Sequence, residues 1–185
     1  MHTLVAVVGA GVLGAGVGDD ALTGAAEEVG AELARSGMGV VCGGLGGVME
    51  AACRGAKEAG GLTVGLLPGT DRAAANPFVD VVVPTGFGEA RNTLVVRAAV
   101  AVIAVGGEYG TLTEIAFALK TGTPVVGLST WELARGGRPR DAFPTARDAA
   151  DAVEQALDLA GLTRHVRRPR SHPIDEPGES AYKRW

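Results

Sequence analysis

The chain is poor in aromatic residues, in cysteine and in excess basic charge, and each shortage excludes a class of structure or partner. Phe, Trp and Tyr make up 4% of the 185 residues, so small side chains must fill the core and helices must lie close to a sheet. Cys42 and Cys53 do not have the spacing of metal ligands, which favours two small core residues in a reducing, cytoplasmic compartment and no metal site. The net charge of -4 argues against nucleic acid as the main partner.

A long apolar run is also missing. The apolar residues at 4–17 are not preceded by a basic segment and are interrupted by glycines, so they predict a first strand and turn, not a signal peptide or a membrane span. Abundant instead are glycine, at 29 residues, and apolar side chains, at 46% of the chain. This composition suits a single domain over residues 1–163. Residues 164–185 are basic and contain proline, and they predict a tail that is disordered or draped over a neighbour.

Residues 99–128 predict one βαβ unit, around which the rest of the chain is arranged. An apolar run at residues 99–105 is typical of a buried strand, and a second run at residues 125–128 is typical of its neighbour. Between them, apolar residues at helical spacing predict an amphipathic helix that ends at Gly122. Further apolar runs predict four more strands, at residues 4–8, 38–42, 63–67 and 79–83. The chain is therefore predicted to be an α/β domain with a mainly parallel sheet.

A glycine-rich turn joins the first strand of this unit to its helix. The turn contains Gly106, Gly107 and Gly110. It lies at the carboxyl end of a central strand, and the backbone N–H groups of Gly110, Thr111 and Leu112 are expected to be free at the helix start. Because free N–H groups and the positive end of a helix dipole attract anions, the sequence predicts a phosphate or carboxylate site here.

A second glycine-rich turn occupies residues 43–47, directly after the strand predicted at residues 38–42. Its glycines are Gly43, Gly44, Gly46 and Gly47. Ligands of open α/β sheets bind at the carboxyl ends of strands, so this bare backbone is expected to hold part of a nucleotide. The alternative is a tight turn that brings a small-faced helix against the sheet.

A literal G-x-G-x-x-G motif at residues 9–14 is not expected to form an ordinary NAD site. Such a site also needs a helix that opens at the third glycine and an acidic residue after the second strand. Here Gly16 and Gly18 delay the helix, and the second strand ends in glycines. The motif still permits a backbone contact with a different nucleotide.

Arg91 has an unusual position for a cation, because helical spacing places it on the apolar face of a helix predicted over residues 87–98. A buried guanidinium needs an anion. One alternative is an ion pair within the chain, with Glu50, Glu89 or Glu114. The other is a ligand phosphate, which arginine binds with the same bidentate geometry. The adjacent Asn92 is assigned to the same ligand-binding set.

Glu114 also has two explanations. Thr111 to Glu114 fits a capping box, in which the glutamate reaches back to the backbone N–H at the helix start. A carboxylate beside a turn that receives an anion, however, weakens anion binding. The weaker anion binding is explained if Glu114 contacts something other than the anion, such as a ribose hydroxyl or an attacking water.

These residues together resemble the LOG (Lonely Guy) superfamily. The resemblance rests on Gly106-Gly107-x-x-Gly110-Thr111-Leu112-x-Glu114, preceded by the turn at residues 43–47 and by Arg91, and covers roughly residues 4–129. It implies a Rossmann-like three-layer αβα sandwich, a homodimer, no required cofactor, and cytokinin riboside 5'-monophosphate phosphoribohydrolase activity. By the same resemblance, Gly107, Gly110 and Thr111 hold the 5'-phosphate, and Arg91 and Glu114 form the catalytic pair. The lysine context of a pyridoxal-phosphate decarboxylase is missing.

The motif departs from the LOG pattern at positions that bear on catalysis. Val105 replaces a proline, Glu108 and Tyr109 separate the glycine pair from Gly110, and the histidine and lysine that accompany the LOG arginine are missing around Arg91. These features are similar to a less characterised bacterial branch and to molybdenum-cofactor carrier proteins, which bind a phosphorylated pterin without turning it over. Two functions therefore stay open. One is hydrolysis of the N-glycosidic bond of a nucleoside 5'-monophosphate, and the other is a non-catalytic carrier or sensor of a phosphorylated cofactor such as molybdopterin.

Overall fold

Six parallel strands form the middle layer of the part of the chain that the structure describes. The computed structural model describes residues 2–11 and 17–163, so the predicted tail at 164–185 lies outside the described residues. The strands are β1 (Leu4–Gly9), β2 (Gly39–Cys42), β3 (Thr63–Leu67), β4 (Val81–Pro84), β5 (Val102–Val105) and β6 (Val125–Leu128). Their order in the sheet is β4-β3-β2-β1-β5-β6, and every pair is parallel. The predicted parallel α/β sheet is confirmed.

Within the described residues, five helices cover the two faces of this sheet. They are α1 (Val17–Arg35), α2 (Val48–Glu58), α3 (Asn92–Arg97), α4 (Tyr109–Thr121) and α5 (Ala149–Leu159). Because side chains alternate along a strand, neighbouring residues of β1 enter different cores: Val5 and Val7 pack with α1, α2 and α5, whereas Ala6 and Val8 pack with α3 and α4. The result is the three-layer αβα sandwich of a Rossmann-like fold.

Besides the start of α4, which is described with the site below, two stretches of the described residues differ from the predicted elements. A single helix was expected over residues 87–98, but a 3-10 turn at Gly88–Arg91 precedes the short helix α3. Gly88 has a φ of 55°, which an α-helix does not allow, so the chain tightens before the helix begins. In addition, β7 (Leu133–Arg135) and β8 (Arg138–Arg140) form an antiparallel hairpin in a stretch where no element was predicted. None of the helices in the described ranges is long and apolar enough to cross a membrane.

Small side chains allow α1 and α2 to approach each other very closely. Gly30 of α1 faces the backbone of α2, since a Cβ atom at this position would lie 2.0 Å from the carbonyl oxygen of Ala52. Gly55 of α2 faces α1 in the same way, with a distance of 1.9 Å to the carbonyl oxygen of Glu27. Glycine at both contact positions therefore permits this close helix–helix packing, which was not predicted from the sequence.

This contact gives a test of the packing. Gly55→Ala is expected to lower the free energy of unfolding by about 2 kcal/mol or more, because a methyl group cannot fit unless the two helices move apart. Gly24→Ala in α1 is the matched control, since nothing lies within 4 Å of its added Cβ, and it should raise stability by about 0.5–1 kcal/mol. Urea unfolding followed by circular dichroism measures both. Equal stabilities of the two variants would contradict the close packing.

Candidate functional site

A cleft of about 520 Å³ lies at the carboxyl ends of the central strands. The chain runs outward from β1 through β2 and β3 to β4 and then returns to place β5 on the other side of β1. At such a reversal the loops after the neighbouring strands diverge and leave a crevice. The walls of this crevice come from the end of β1, the loop between β2 and α2, Pro68, the 3-10 turn before α3, and the first turns of α4.

The start of α4 forms one wall and is open to the cleft. Glu108 is the N-cap, with extended backbone angles and no side-chain capping bond, and the N–H of Leu112 donates to the carbonyl oxygen of Glu108 at 3.0 Å. The expectation that the Leu112 N–H is free is therefore wrong. The N–H groups without a partner inside the helix are those of Tyr109, Gly110 and Thr111, because the helix begins one residue earlier than expected.

Arg91 lies at the end of the 3-10 turn and is only 7% exposed. Its Nη1 donates to Oδ1 of Asn92 at 2.6 Å, while its Nε is buried without a hydrogen-bond partner. Ion pairs do form elsewhere in the described residues, but none of them includes Arg91. The alternative of an ion pair with Glu50, Glu89 or Glu114 is therefore not realised. Burial lowers the pKa of the Arg91 guanidinium, and the negative charge of Glu114 partly offsets this.

Glu114 lines the same cleft and is 6% exposed. Burial raises the pKa of its carboxyl to about 7, against the opposing effect of the positive charge on Arg91. The helix starts at Tyr109 with Glu108 as N-cap, so the capping-box explanation of Glu114 is wrong. Glu114 is thus a buried carboxyl near its titration point at neutral pH, beside a cationic side chain.

Gly43 and Asn92 hold the guanidinium of Arg91 in place. A Cβ atom at Gly43 would lie 2.4 Å from Nη2 and 2.6 Å from Cζ of Arg91, so only glycine allows the guanidinium to lie against this backbone. On the other side, Nδ2 of Asn92 lies 3.9 Å from the position of a Cβ at Gly110. Asn92 is therefore hydrogen-bonded to Arg91 and lies close to Gly110 in the first turn of α4, which places both anion-binding features next to each other.

Charge in the cleft is dominated by carboxylates. Glu89, Glu108 and Glu114 line it, and Arg91 is the single cationic side chain among the described lining residues. An anion that enters is therefore attracted by Arg91 and by the start of α4, and by no other positive group of that lining.

Comparison with known proteins agrees with this architecture. Residues 3–156 match the model of the SLOG cluster4 family. The chain belongs to the SLOG cluster4 family. The resemblance to the LOG superfamily, close to molybdenum-cofactor carrier proteins, is thereby confirmed.

Relatives of this SLOG cluster4 chain include proteins from archaea, bacteria and algae. An uncharacterised protein of Archaeoglobus fulgidus is 43% identical over 141 residues, which cover 76% of this chain and 91% of the relative. The molybdenum cofactor binding protein of Rippkaea orientalis is 32% identical, with a TM-score of 0.76 over 86% of this chain and 98% of that one. The Moco carrier protein of Chlamydomonas reinhardtii is also 32% identical, with a TM-score of 0.74 over 87% and 99% of the two chains. DNA processing protein A of Streptococcus pneumoniae, at 20% identity and a TM-score of 0.62, shares the fold alone.

The structure brings six of the residues assigned from sequence into the cleft lining. These are Gly43, Arg91, Asn92, Gly110, Thr111 and Glu114. The other assigned glycines, Gly44, Gly46, Gly47, Gly106 and Gly107, are not among its described lining residues. Gly47, with a φ of 64°, packs against the loop after β1, where a Cβ would lie 2.3 Å from the carbonyl oxygen of Ala10. Packing against this loop therefore explains why residue 47 is a glycine, and a ligand contact at Gly47 stays a prediction.

Several lining residues were not predicted from the SLOG cluster4 sequence. The end of β1, at residues 7–11, lines the cleft. The glycine motif that begins there was not expected to form an NAD site, and a backbone contact with a different nucleotide was left open; residues 12–16 lie outside the described chain. The position of the motif after a strand was a usable signal. Leu45, Met49 and Tyr109 also line the cleft, and their apolar surfaces carry no sequence signal that separates them from core residues.

Proposed function

We propose that this SLOG cluster4 protein binds the phosphate of a nucleotide or nucleotide-like cofactor in the cleft. The proposal rests on the buried guanidinium of Arg91, which forms no ion pair within the described chain and lies beside the open start of α4. Burial of an unpaired charge is costly. A phosphate compensates that cost, because it accepts bidentate hydrogen bonds from arginine and further bonds from the N–H groups of a helix start.

The chemistry that this geometry supports best is hydrolysis of an N-glycosidic bond. With the 5'-phosphate on Arg91 and on the first turn of α4, Glu114 lies within the same cleft and has a pKa near 7, which suits a general base. In this proposal Glu114 takes a proton from a water whose oxygen bonds to the anomeric carbon. The bond from that carbon to the base nitrogen breaks, the base takes up a proton, and ribose 5-phosphate is released.

A second candidate function is a carrier of a phosphorylated pterin. It is favoured by the two solved structures named for molybdenum-cofactor binding, each 32% identical and covered almost completely by this chain. A molybdopterin-like ligand has a phosphate for Arg91 and a planar ring system, so it fits the same cleft without any turnover. For either function we also propose that the chain assembles as a homodimer.

Calorimetric titration with AMP and with adenosine tests phosphate binding. Analysis of the products then distinguishes the two functions. AMP is expected to bind roughly 100-fold more tightly than adenosine, because about two charge-assisted hydrogen bonds depend on the phosphate. Equal affinity for the two ligands would contradict phosphate binding. Release of free adenine from AMP or N6-substituted AMP supports hydrolysis, whereas binding without release rejects hydrolysis and leaves the carrier.

A further inference from the structure

Tyr109 is the most exposed of the large hydrophobic side chains at the cleft. It is 75% exposed, although it lines the cleft as the first residue of α4. A tyrosine ring left in water forgoes a large hydrophobic gain. The exposed ring of Tyr109 therefore contributes little to the stability of the ligand-free protein, and its position at the cleft calls for another explanation.

The ring of Tyr109 contacts a second aromatic residue. The ring centroids of Tyr109 and Trp131 are 5.7 Å apart, and the planes are tilted by 40°. Trp131 is half-buried and packs on the core cluster that contains Ile115 and Val125. Tyr109 therefore contacts an anchored indole, and a tyrosine side chain loses little conformational entropy when another group packs on its ring.

The position of the ring relative to the anion site is set by the helix. Tyr109 directly precedes Gly110, which lies beside Asn92 and hence beside Arg91. On the side of the loop between β2 and α2, Leu45 and Met49 add apolar surface to the same cleft. A ligand with its phosphate at Arg91 thus has an aromatic and apolar region within the same cleft.

We infer that Tyr109 is a stacking platform for a planar nitrogen heterocycle, and that the cleft therefore takes phosphorylated ligands of this class in preference to simple sugar phosphates. This inference rests on the proposed phosphate binding and adds a specificity-determining residue to it. Stacking on an aromatic side chain depends on the planar face of the ring and tolerates different ring substituents. The same platform accepts a purine or a pterin.

Two probes that share a phosphate and differ in the ring test this inference. Formycin A 5'-monophosphate carries a purine-like ring on a carbon–carbon bond that hydrolysis cannot cleave, and ribose 5-phosphate carries no ring. Calorimetry is done on the wild type, on Tyr109→Leu and on Tyr109→Phe. Tyr109→Leu is expected to weaken binding of formycin monophosphate about tenfold and to change ribose 5-phosphate binding less than about twofold. Tyr109→Phe keeps the ring and should bind both probes as the wild type does.

The outcomes distinguish a failed platform from a failed phosphate site. Equal losses for both probes in Tyr109→Leu, or no loss for either, overturn the stacking role while phosphate binding stands. Equal affinity of the wild type for the two probes also overturns it. If the wild type binds neither probe, phosphate binding and the platform are both rejected. Circular dichroism on each variant shows whether the fold is intact, as expected for a side chain this exposed.

Discussion

Glu114→Gln is expected to lower turnover of nucleoside monophosphates by ~10²- to 10⁴-fold while AMP binds as tightly as before or more tightly. Glutamine has the size of glutamate but cannot accept a proton from water, and it removes a negative charge that repels phosphate. Glu89→Gln is the matched control, because Glu89 also lines the cleft but is exposed. Release of free base measures turnover, and calorimetry measures binding. Unchanged turnover in Glu114→Gln would rule out the general-base role.

The same variant has a second readout that does not depend on the substrate. In the folded protein the pKa of Glu114 is raised by burial from 4.5 to about 7. Between about pH 4.5 and pH 7, Glu114 is protonated in the folded state and ionised in the unfolded state. The free energy of unfolding therefore falls as pH rises through this range and levels off above about pH 7. The loss amounts to about 3 kcal/mol.

Glu114→Gln removes this contribution and should be more stable than the wild type at pH 8, but not at pH 4.5. Urea unfolding of the ligand-free proteins at several pH values measures the difference between them. Parallel stability curves for the two proteins would show that Glu114 does not titrate in this range.

Arg91→Met is expected to abolish AMP binding, with a loss of more than about 100-fold, while the protein keeps or gains stability. Arg91 is buried, its Nε has no partner, and a methionine of similar length removes a charge that the ligand-free fold compensates only in part, through Glu114. Calorimetry and thermal unfolding measure the two effects. Loss of the positive charge should also move the pKa of Glu114 further up, because Arg91 now lowers it.

Two matched variants complete this experiment. Arg97→Met changes an exposed arginine of α3 that lies over the ring of Phe117, and it should leave AMP binding unchanged. Arg91→Lys keeps the charge but loses the planar bidentate geometry, so its affinity should lie between those of the wild type and Arg91→Met. A strongly destabilised Arg91→Met would indicate that the guanidinium holds the fold together and would contradict its assignment to a ligand.

The layers of the fold could be predicted from sequence because each central strand is an uninterrupted run of small apolar residues. Such runs are buried on both faces, which indicates a parallel sheet between helices. The sequence did not reveal the tightening at Gly88, because the apolar spacing over residues 87–98 continues through it. The start of α4 was misplaced because Glu108, which is not a favoured capping residue, takes the N-cap conformation.

The sequence predicted the candidate site best where a residue type at its position requires a binding partner. A charged side chain on an apolar face requires a partner, and this requirement identified Arg91. Glycines gave a weaker signal, because a close approach between two loops and a close approach to a ligand demand the same missing side chain. Gly43 faces Arg91, whereas Gly47 faces the backbone at Ala10, and only the three-dimensional arrangement separates these two cases. The exposure of Tyr109 is likewise a tertiary property that no spacing predicts.

The strand order has a consequence for how the protein is maintained in its folded state. Segments as far apart in the chain as Val7 and Glu114 meet at the cleft, so the cleft exists only when both halves of the sheet are assembled. A bound ligand therefore stabilises the folded state against global unfolding. At a free concentration 100 times its dissociation constant it adds about 2.7 kcal/mol to the unfolding free energy. The abundance of the folded protein would then follow the supply of its ligand, which makes resistance to proteolysis a measure of occupancy.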